Sequence, residues 1–297
     1  MLPLRDDNPT SRFAFVTLAI ILLNVAAFLL WEPTFGSEQK QEVFFFCHAE
    51  IPWEVTHQVS LGDGGEAARA AIEQQFNEGG GAALDDQQAL KQECGHKSWW
   101  ESIFEAMFLH GGWLHIGGNM LFLWVFGNNV EDKIGHTLYF VFYLVSGIVA
   151  SLAQLAVAPN SVIPNLGASG AIAGVLGAYL LMFPRRRVLT LVFFFLITAV
   201  YLPAFVVLGL WFVLQLFNGV GSLTSRVNVS GGVAFWAHIG GFSFGAIMAL
   251  LFFPKERFGA RPPPRRPDMF QGRRRRGLGF GWPRRPRPPD DGGWPGP

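Results

Sequence analysis

Apolar residues in this chain fall into long blocks separated by polar connectors. The first block runs from Phe13 to Trp31, interrupted only by Thr17 and Asn24, and is close to the ~20 residues a helix needs to cross a bilayer. Five more follow, at Leu114 to Val130, Thr137 to Val157, Gly167 to Phe183, Val188 to Phe217 and Val233 to Phe253. Read as helices, they predict an all-α membrane protein with six transmembrane helices. The block Val188 to Phe217 is longer than a bilayer requires and contains Pro203, so tilt or a kink is expected there. Trp31 and the pair Trp99-Trp100 stand where interfacial tryptophans often do.

The pattern divides the chain into a short polar stretch (1–12), a first span (13–31), a long polar insert (32–113), a five-span core (114–254) and a tail (255–297). The insert has a partly apolar piece, with Val43 to Phe46 and Ile51 to Trp53. Its more polar piece predicts two short surface helices, Glu66 to Asn77 and Ala83 to Glu93, separated by Gly79-Gly80-Gly81.

Composition agrees with a membrane protein. Half of the 297 residues are hydrophobic, mean hydropathy is +0.28 and only 15% are charged, against about 25% in an ordinary soluble domain. The net charge of +1 conceals an asymmetry. Residues 35–98 hold eleven acidic and four basic residues, whereas 255–297 hold twelve basic and four acidic. Lys133, Arg185 to Arg187 and the basic tail all fall on the side of Arg5 and Arg12 if six spans are threaded. The positive-inside rule then places both termini in the cytoplasm and the acidic insert outside. No small-residue cleavage site follows the first apolar run, which reads as a retained span. The Pro-, Arg- and Gly-rich tail cannot bury a core and is expected to be disordered. Its charge favours anionic lipid head groups, and no nucleic-acid partner is expected.

This threading brings polar side chains on separate spans to one depth. His115 and Asn119 are four residues apart, on one helical face near the outer end of the second span. Ser169 opens the fourth span and His238 lies in the outer half of the sixth. Gly170, Gly174 and Ala178 form a small-residue stripe, as do Ala237, Gly241 and Gly245, and such stripes let helices meet closely. A serine needs a nearby base, and a neutral imidazole can take its proton. The tetrahedral oxyanion then needs donors, which the Ser169 backbone N–H, His115 and Asn119 can supply. No carboxylate lies in the fourth, fifth or sixth block, so the pair would be a dyad held by helix packing. Taken singly, a serine among glycines is usually structural and an asparagine in a span is usually interhelical glue. The coincidence of depth favours a site.

These residues resemble the rhomboid family of intramembrane serine proteases. The matching motifs are His115-Ile116-Gly117-Gly118-Asn119 on the second span, Gly167-Ala168-Ser169-Gly170 on the fourth, and His238 followed by Gly240, Gly241 and Gly245 on the sixth. Leu109-His110-Gly111-Gly112-Trp113 and Asn129-Val130-Glu131-Asp132 also look like bacterial members. The resemblance covers roughly residues 99–254 and implies a six-transmembrane-helix rhomboid bundle. It further implies a protease that cuts transmembrane protein substrates without metal or cofactor, in a bacterial inner or plasma membrane. Ser169 would be the nucleophile and His238 the general base, with His115, Asn119 and the Ser169 amide lining the oxyanion hole. Gly167, Gly170, His110 and Gly241 would support them. The fifth span and the loop Asn218 to Gly232 would form the gate and cap. The chain has Trp99-Trp100-Glu101-Ser102 where many members carry Trp-Arg. It has Ala173 where some carry a tyrosine that stacks on the catalytic histidine, so His238 must be held otherwise.

Cys47 and Cys94 are the only cysteines, both in the insert. An even count in an oxidising compartment favours a disulfide. A zinc site that adds His48 and His96, or two free thiols, are the alternatives.

Overall fold

The computed structural model describes residues 1–76, 87–94, 97–193, 197–224 and 234–253. The tail 255–297 and the part of the expected cap at 225–232 therefore lie outside the described residues.

Among the described residues, three helices are long and apolar enough to cross a membrane: His136–Val157, Ala204–Ser222 and Phe235–Phe252. They belong to α9 (His136–Val157), α11 (Ala204–Thr224) and α12 (Phe235–Phe252). Two apolar helices are shorter. One is α1 (Phe15–Ala26), which a π-helical turn extends through Trp31, and the other is α10 (Ser169–Met182). The second apolar block is a continuous helical run made of α7 (Trp113–Phe122), a π turn (Leu123–Gly127) and α8 (Asn128–Ile134).

The block Val188 to Phe217 is not one long helix, contrary to its hydropathy. Its first half is a hairpin of β2 (Arg187–Phe193) and β3 (Ile197–Pro203), and only then does α11 begin. The short polar stretch at the start of the chain supplies the third strand, β1 (Leu2–Asp6), antiparallel to β2. Val188, Thr190, Val192, Ile197, Thr198, Val200 and Tyr201 are the β-branched and aromatic types that suit a pleated surface. Pro203 ends the strand and sits just before the helix, where its missing N–H does no harm. The first amides of α11 are satisfied by the connector: Ala204 N–H donates to Arg186 O (2.8 Å) and Phe205 N–H to Pro184 O (3.1 Å).

Helix α10 is the hub of the bundle. Ten of its residues from Gly170 to Tyr179 are buried without a break, as expected of a helix apolar all round. The two small-residue stripes face each other. A Cβ added at Gly241, Gly245 or Gly177 would collide with backbone of the opposing helix at Gly170, Gly174 or Phe242. On its other side α10 meets α9, where Gly170 faces Ala150 and Gly174 faces Ser146.

Residues near the start of the chain are fastened by partners far along it. The Glu131 carboxylate accepts from Val16 N–H (2.9 Å), Thr17 N–H (2.7 Å) and Thr17 Oγ1 (2.7 Å), capping the open N–H groups of α1. Asp132 accepts from the backbone of Ser11 and Arg12 and from Ser11 Oγ. Asp6 accepts from Tyr179 Oη (2.6 Å) and Asn129 Nδ2 (2.8 Å). Burial pushes the Asp6 carboxyl up to about 6, against the hydrogen bond from Tyr179.

The insert folds as α2 (Glu38–His48), α3 (Pro52–His57), α4 (Gly65–Phe76), α5 (Gln87–Cys94) and α6 (Trp99–Ala106). The two helices expected in its polar part thus form over nearly the expected spans, with residues 83–86 outside the described range. Phe46, Ile51, Trp53, Leu61, Ile72 and Leu90 make a small core of its own, joined by Val162 from the loop after α9. Cys47 and Cys94 are disulfide-bonded, with Cα atoms 4.9 Å apart. Their thiols are therefore not metal ligands, and His48 pairs with Glu105 at 3.0 Å instead. Beneath the bridge, buried Lys97 reaches Glu54 at 2.6 Å and donates to Phe46 O (2.8 Å) and Ala49 O (2.7 Å). Burial pushes the Glu54 carboxyl up and the Lys97 ammonium down, each opposed by the other's charge.

Candidate active site

Ser169 is the first residue of α10, delivered by the loop that follows α9. That loop is pinned by the insert. Glu50 and Asn165 exchange backbone hydrogen bonds at 2.7 and 3.2 Å, and Trp53 N–H donates to Ser161 O (3.0 Å). Gly167 then turns the chain with φ +120°, which L side chains rarely adopt, and donates its N–H to Ala106 O (2.7 Å).

His238 comes from the first turns of α12. Its Nε2 lies 2.8 Å from Ser169 Oγ. Its Nδ1 lies 2.8 Å from Oε1 of Gln215, a side chain on α11. Trp211, one turn before Gln215, packs against the imidazole with ring centroids 5.7 Å apart. The aromatic partner that Ala173 cannot supply thus comes from a different helix.

His115 and Asn119 approach from α7. A methyl group built on Gly167 would stand 2.8 Å from His115 Nε2 and 3.6 Å from Asn119 Nδ2, so both nitrogens converge on the loop two residues before Ser169. Gly111 N–H donates to His115 Nδ1 (3.3 Å), which leaves the proton of a neutral ring on Nε2, the nitrogen beside Gly167. Asn119 Nδ2 is buried and has no partner among the described residues. An orphaned buried donor calls for a reason, and a transient negative charge is one. His110 stands behind His115, ring centroids 5.1 Å apart. The His110 backbone N–H donates to Glu32 Oε1 (3.0 Å). Burial pushes the His110 imidazole down to about 3 and the Glu32 carboxyl up to about 7.

These groups open onto a cavity of about 990 Å³, lined by Ser169, His238, His115, Asn119 and Trp211 together with Glu42, Phe45 and Phe46 of the insert. The insert is therefore a wall of the site as well as a neighbour to it. Of the residues singled out by sequence, Ser169, His238, His115, Asn119 and Gly167 are brought together. Gly170 and Gly241 lie in the α10–α12 contact behind them. Gln215, Trp211 and the insert residues were not singled out. The available signal for Gln215 was a lone amide in the apolar run Phe212-Val213-Leu214-Gln215-Leu216.

A helical membrane protein whose spans converge a serine and a histidine beside a buried amide donor has the layout of an intramembrane hydrolase. The chain belongs to the rhomboid family: the Rhomboid domain model matches residues 96–255. The family is one of intramembrane serine proteases and also includes some inactive members. The chain is 40% identical over 96 residues to "Rhomboid protein 1, mitochondrial" of Saccharomyces cerevisiae, which is 31% of this chain and 28% of that protein. It is 40% identical over 82 residues to "Rhomboid protease GluP" of Bacillus subtilis, 28% of this chain and 15% of that protein. To "RHOMBOID-like protein 4" of Arabidopsis thaliana it is 30% identical over 202 residues, covering 64% of this chain and 44% of the relative. The chain spans less than half the length of each of these relatives.

Proposed function

We propose that this protein is a serine endopeptidase that cuts membrane-protein substrates in or near their transmembrane helices, with Ser169 as nucleophile and His238 as general base. The observation that carries this reading is the 2.8 Å contact between Ser169 Oγ and His238 Nε2 inside the cavity. Nε2 takes the hydroxyl proton as Oγ attacks the scissile carbonyl carbon. The resulting oxyanion is stabilised by the Ser169 N–H, His115 Nε2–H and Asn119 Nδ2–H. Nε2 then gives its proton to the leaving amine, and an acyl-enzyme on Oγ remains. Water, activated by the same imidazole, releases the acid. No metal or cofactor enters these steps.

The threading proposed with it has six spans, both termini on the cytoplasmic side and the insert outside. Two observations support it: Asp132 bonds Ser11 and Arg12 while Arg187 N–H bonds Asp7, which gathers the cationic connectors beside residues 7–12, and the disulfide in the insert suits an oxidising compartment. The test is incubation of the purified protein with a model substrate carrying one transmembrane helix, in parallel with Ser169→Ala and His238→Ala. Wild type is expected to cut and to be trapped by a fluorophosphonate, and both variants are expected to be inert but folded, since such pairs act as a unit. Turnover in Ser169→Ala would remove the assignment.

A further inference from the structure

The chemistry above requires the His238 ring proton to sit on one nitrogen and not the other. For Nε2 to accept from Ser169 Oγ, a neutral imidazole must carry its hydrogen on Nδ1, and the tautomer is set by whatever Nδ1 is bonded to. Sequence reasoning expected no such group, because no carboxylate lies in the surrounding spans. The structure supplies a neutral one. Gln215 Oε1 is 2.8 Å from Nδ1 and can only accept, so Nδ1 must be the donor and the Nε2 lone pair is left for the serine.

Three facts argue that this contact is more than incidental glue. Gln215 is the only amide in α11 apart from Asn218, and its neighbours Leu214, Leu216 and Phe217 are exposed apolar side chains of a lipid-facing helix. A polar group in such a helix needs a partner inside the protein. Trp211 and Gln215 are one helical turn apart, so one face of α11 presents an aromatic ring and an amide to the same imidazole. An amide also orients the ring without the desolvation penalty that a carboxylate would carry within the membrane.

We propose that Gln215 is a positioning residue of the site, which fixes His238 in the tautomer and rotamer whose Nε2 lone pair faces Ser169. The inference rests on the protease reading. When Nε2 takes the serine proton, Nδ1–H stays on the ring and Gln215 Oε1 keeps accepting from it, stabilising the transient imidazolium. The proton then leaves from Nε2 to the departing amine. Ser169, His238 and Gln215 stand on three different helices, α10, α12 and α11, so the base is competent only while α11 is seated against α12. Phe212 stacked on Phe242, with centroids 4.4 Å apart, is part of that seat.

The test compares Gln215→Leu and Gln215→Glu with wild type, measuring kcat, KM and the pH–rate profile on the model substrate. The ¹⁵N shifts of the His238 ring are measured alongside, assigned by their loss in His238→Ala. Gln215→Leu is expected to lower kcat by at least about 10–10² fold, the loss typical when the partner that orients a metal-bound histidine is removed. KM should change little, and the ring hydrogen should leave Nδ1. Gln215→Glu keeps the acceptor and adds a charge that stabilises the imidazolium, so activity is expected to return with its acid limb moved to higher pH. Unchanged kcat in Gln215→Leu, or a Gln215→Glu profile superimposed on wild type, would overturn the proposal. If Gln215→Leu does not fold, the isosteric Gln215→Glu profile decides alone. The ¹⁵N tautomer reads the positioning role even if no cleavage is seen. A wild type that neither cuts nor takes the fluorophosphonate would instead sink the protease reading.

Discussion

Gly170→Ala offers a sharp test of how tightly the fold controls the site. The residue is flanked by Ser169 and buried between α9 and α12. A Cβ placed there would lie 2.6 Å from the Ala150 Cβ on α9 and 3.8 Å from the Ala237 Cβ on α12. Two carbon atoms rest at about 3.5–4.0 Å, so roughly 1 Å must be found. Ala150 is only 1% exposed and cannot step aside, since its own methyl is part of the helix surface. The space must come from moving the N-terminal turn of α10. The Ser169–His238 contact is 2.8 Å, and displacing one partner by about 1 Å takes it beyond hydrogen-bonding reach. Misplacement of that size is expected to lower kcat on the order of 10²-fold, while overpacking lowers stability by about 1–3 kcal/mol. Cleavage of the model substrate and thermal unfolding in detergent measure the two effects separately. Gly209→Ala on α11 is the control: its added Cβ meets nothing within 4 Å, so it should leave activity unchanged and gain up to about 1 kcal/mol from helix propensity. The decisive variant is Gly170→Ala combined with Ala150→Gly, which removes the colliding methyl and should restore most of the activity. Full activity in Gly170→Ala, or no rescue in the double variant, would refute the reasoning.

Two further outcomes are expected. Asn119→Ala should lower kcat about 10²–10³ fold, the loss typical of one oxyanion donor; an unchanged kcat with reduced folded yield would make Asn119 structural. The second concerns pH. Glu50 is buried, its carboxylate accepts from Ser151 Oγ, and burial pushes it up to about 7 from 4.5. The folded state therefore holds this proton more tightly than the unfolded chain, and the associated stability is complete below about pH 4.5 and lost as pH rises through about 7. The melting temperature of wild type should decline across that window more steeply than that of Glu50→Gln, and parallel curves would contradict the assignment.

What could be read from the sequence was whatever depends on the length and sign of local runs. The apolar blocks, the acidic insert, the paired cysteines and the facing stripes at Gly170 and Gly241 are of this kind. The hairpin was hidden because Val188 to Phe193 and Ile197 to Tyr201 are as apolar as any helix, and hydropathy alone cannot separate a buried strand from a buried helix. Pro203 marked the true boundary, but as a kink it looked equally natural. Gln215 stayed unnoticed for a different reason. Its importance comes from the rotation of α11 about its own axis, which the Leu-, Phe- and Val-rich flanks do not fix. The wall made by Glu42 and Phe45 depends on Glu50 meeting Asn165 and on Trp53 meeting Ser161, pairings more than a hundred residues apart that leave no local trace.

The way the first strand is held bears on the order in which the molecule is made. Asp6 must wait for Tyr179, 173 residues later, and Leu2 pairs with Leu191. At about 5–20 residues per second, a ribosome needs roughly 9–35 s to make the distance from Asp6 to Tyr179. Until Glu131 is made the first helix lacks its cap, and until Val188 to Leu191 are made β1 has no strand to pair with. The segment carrying β1 is therefore locked late, and only after the helix bearing Ser169 has been completed.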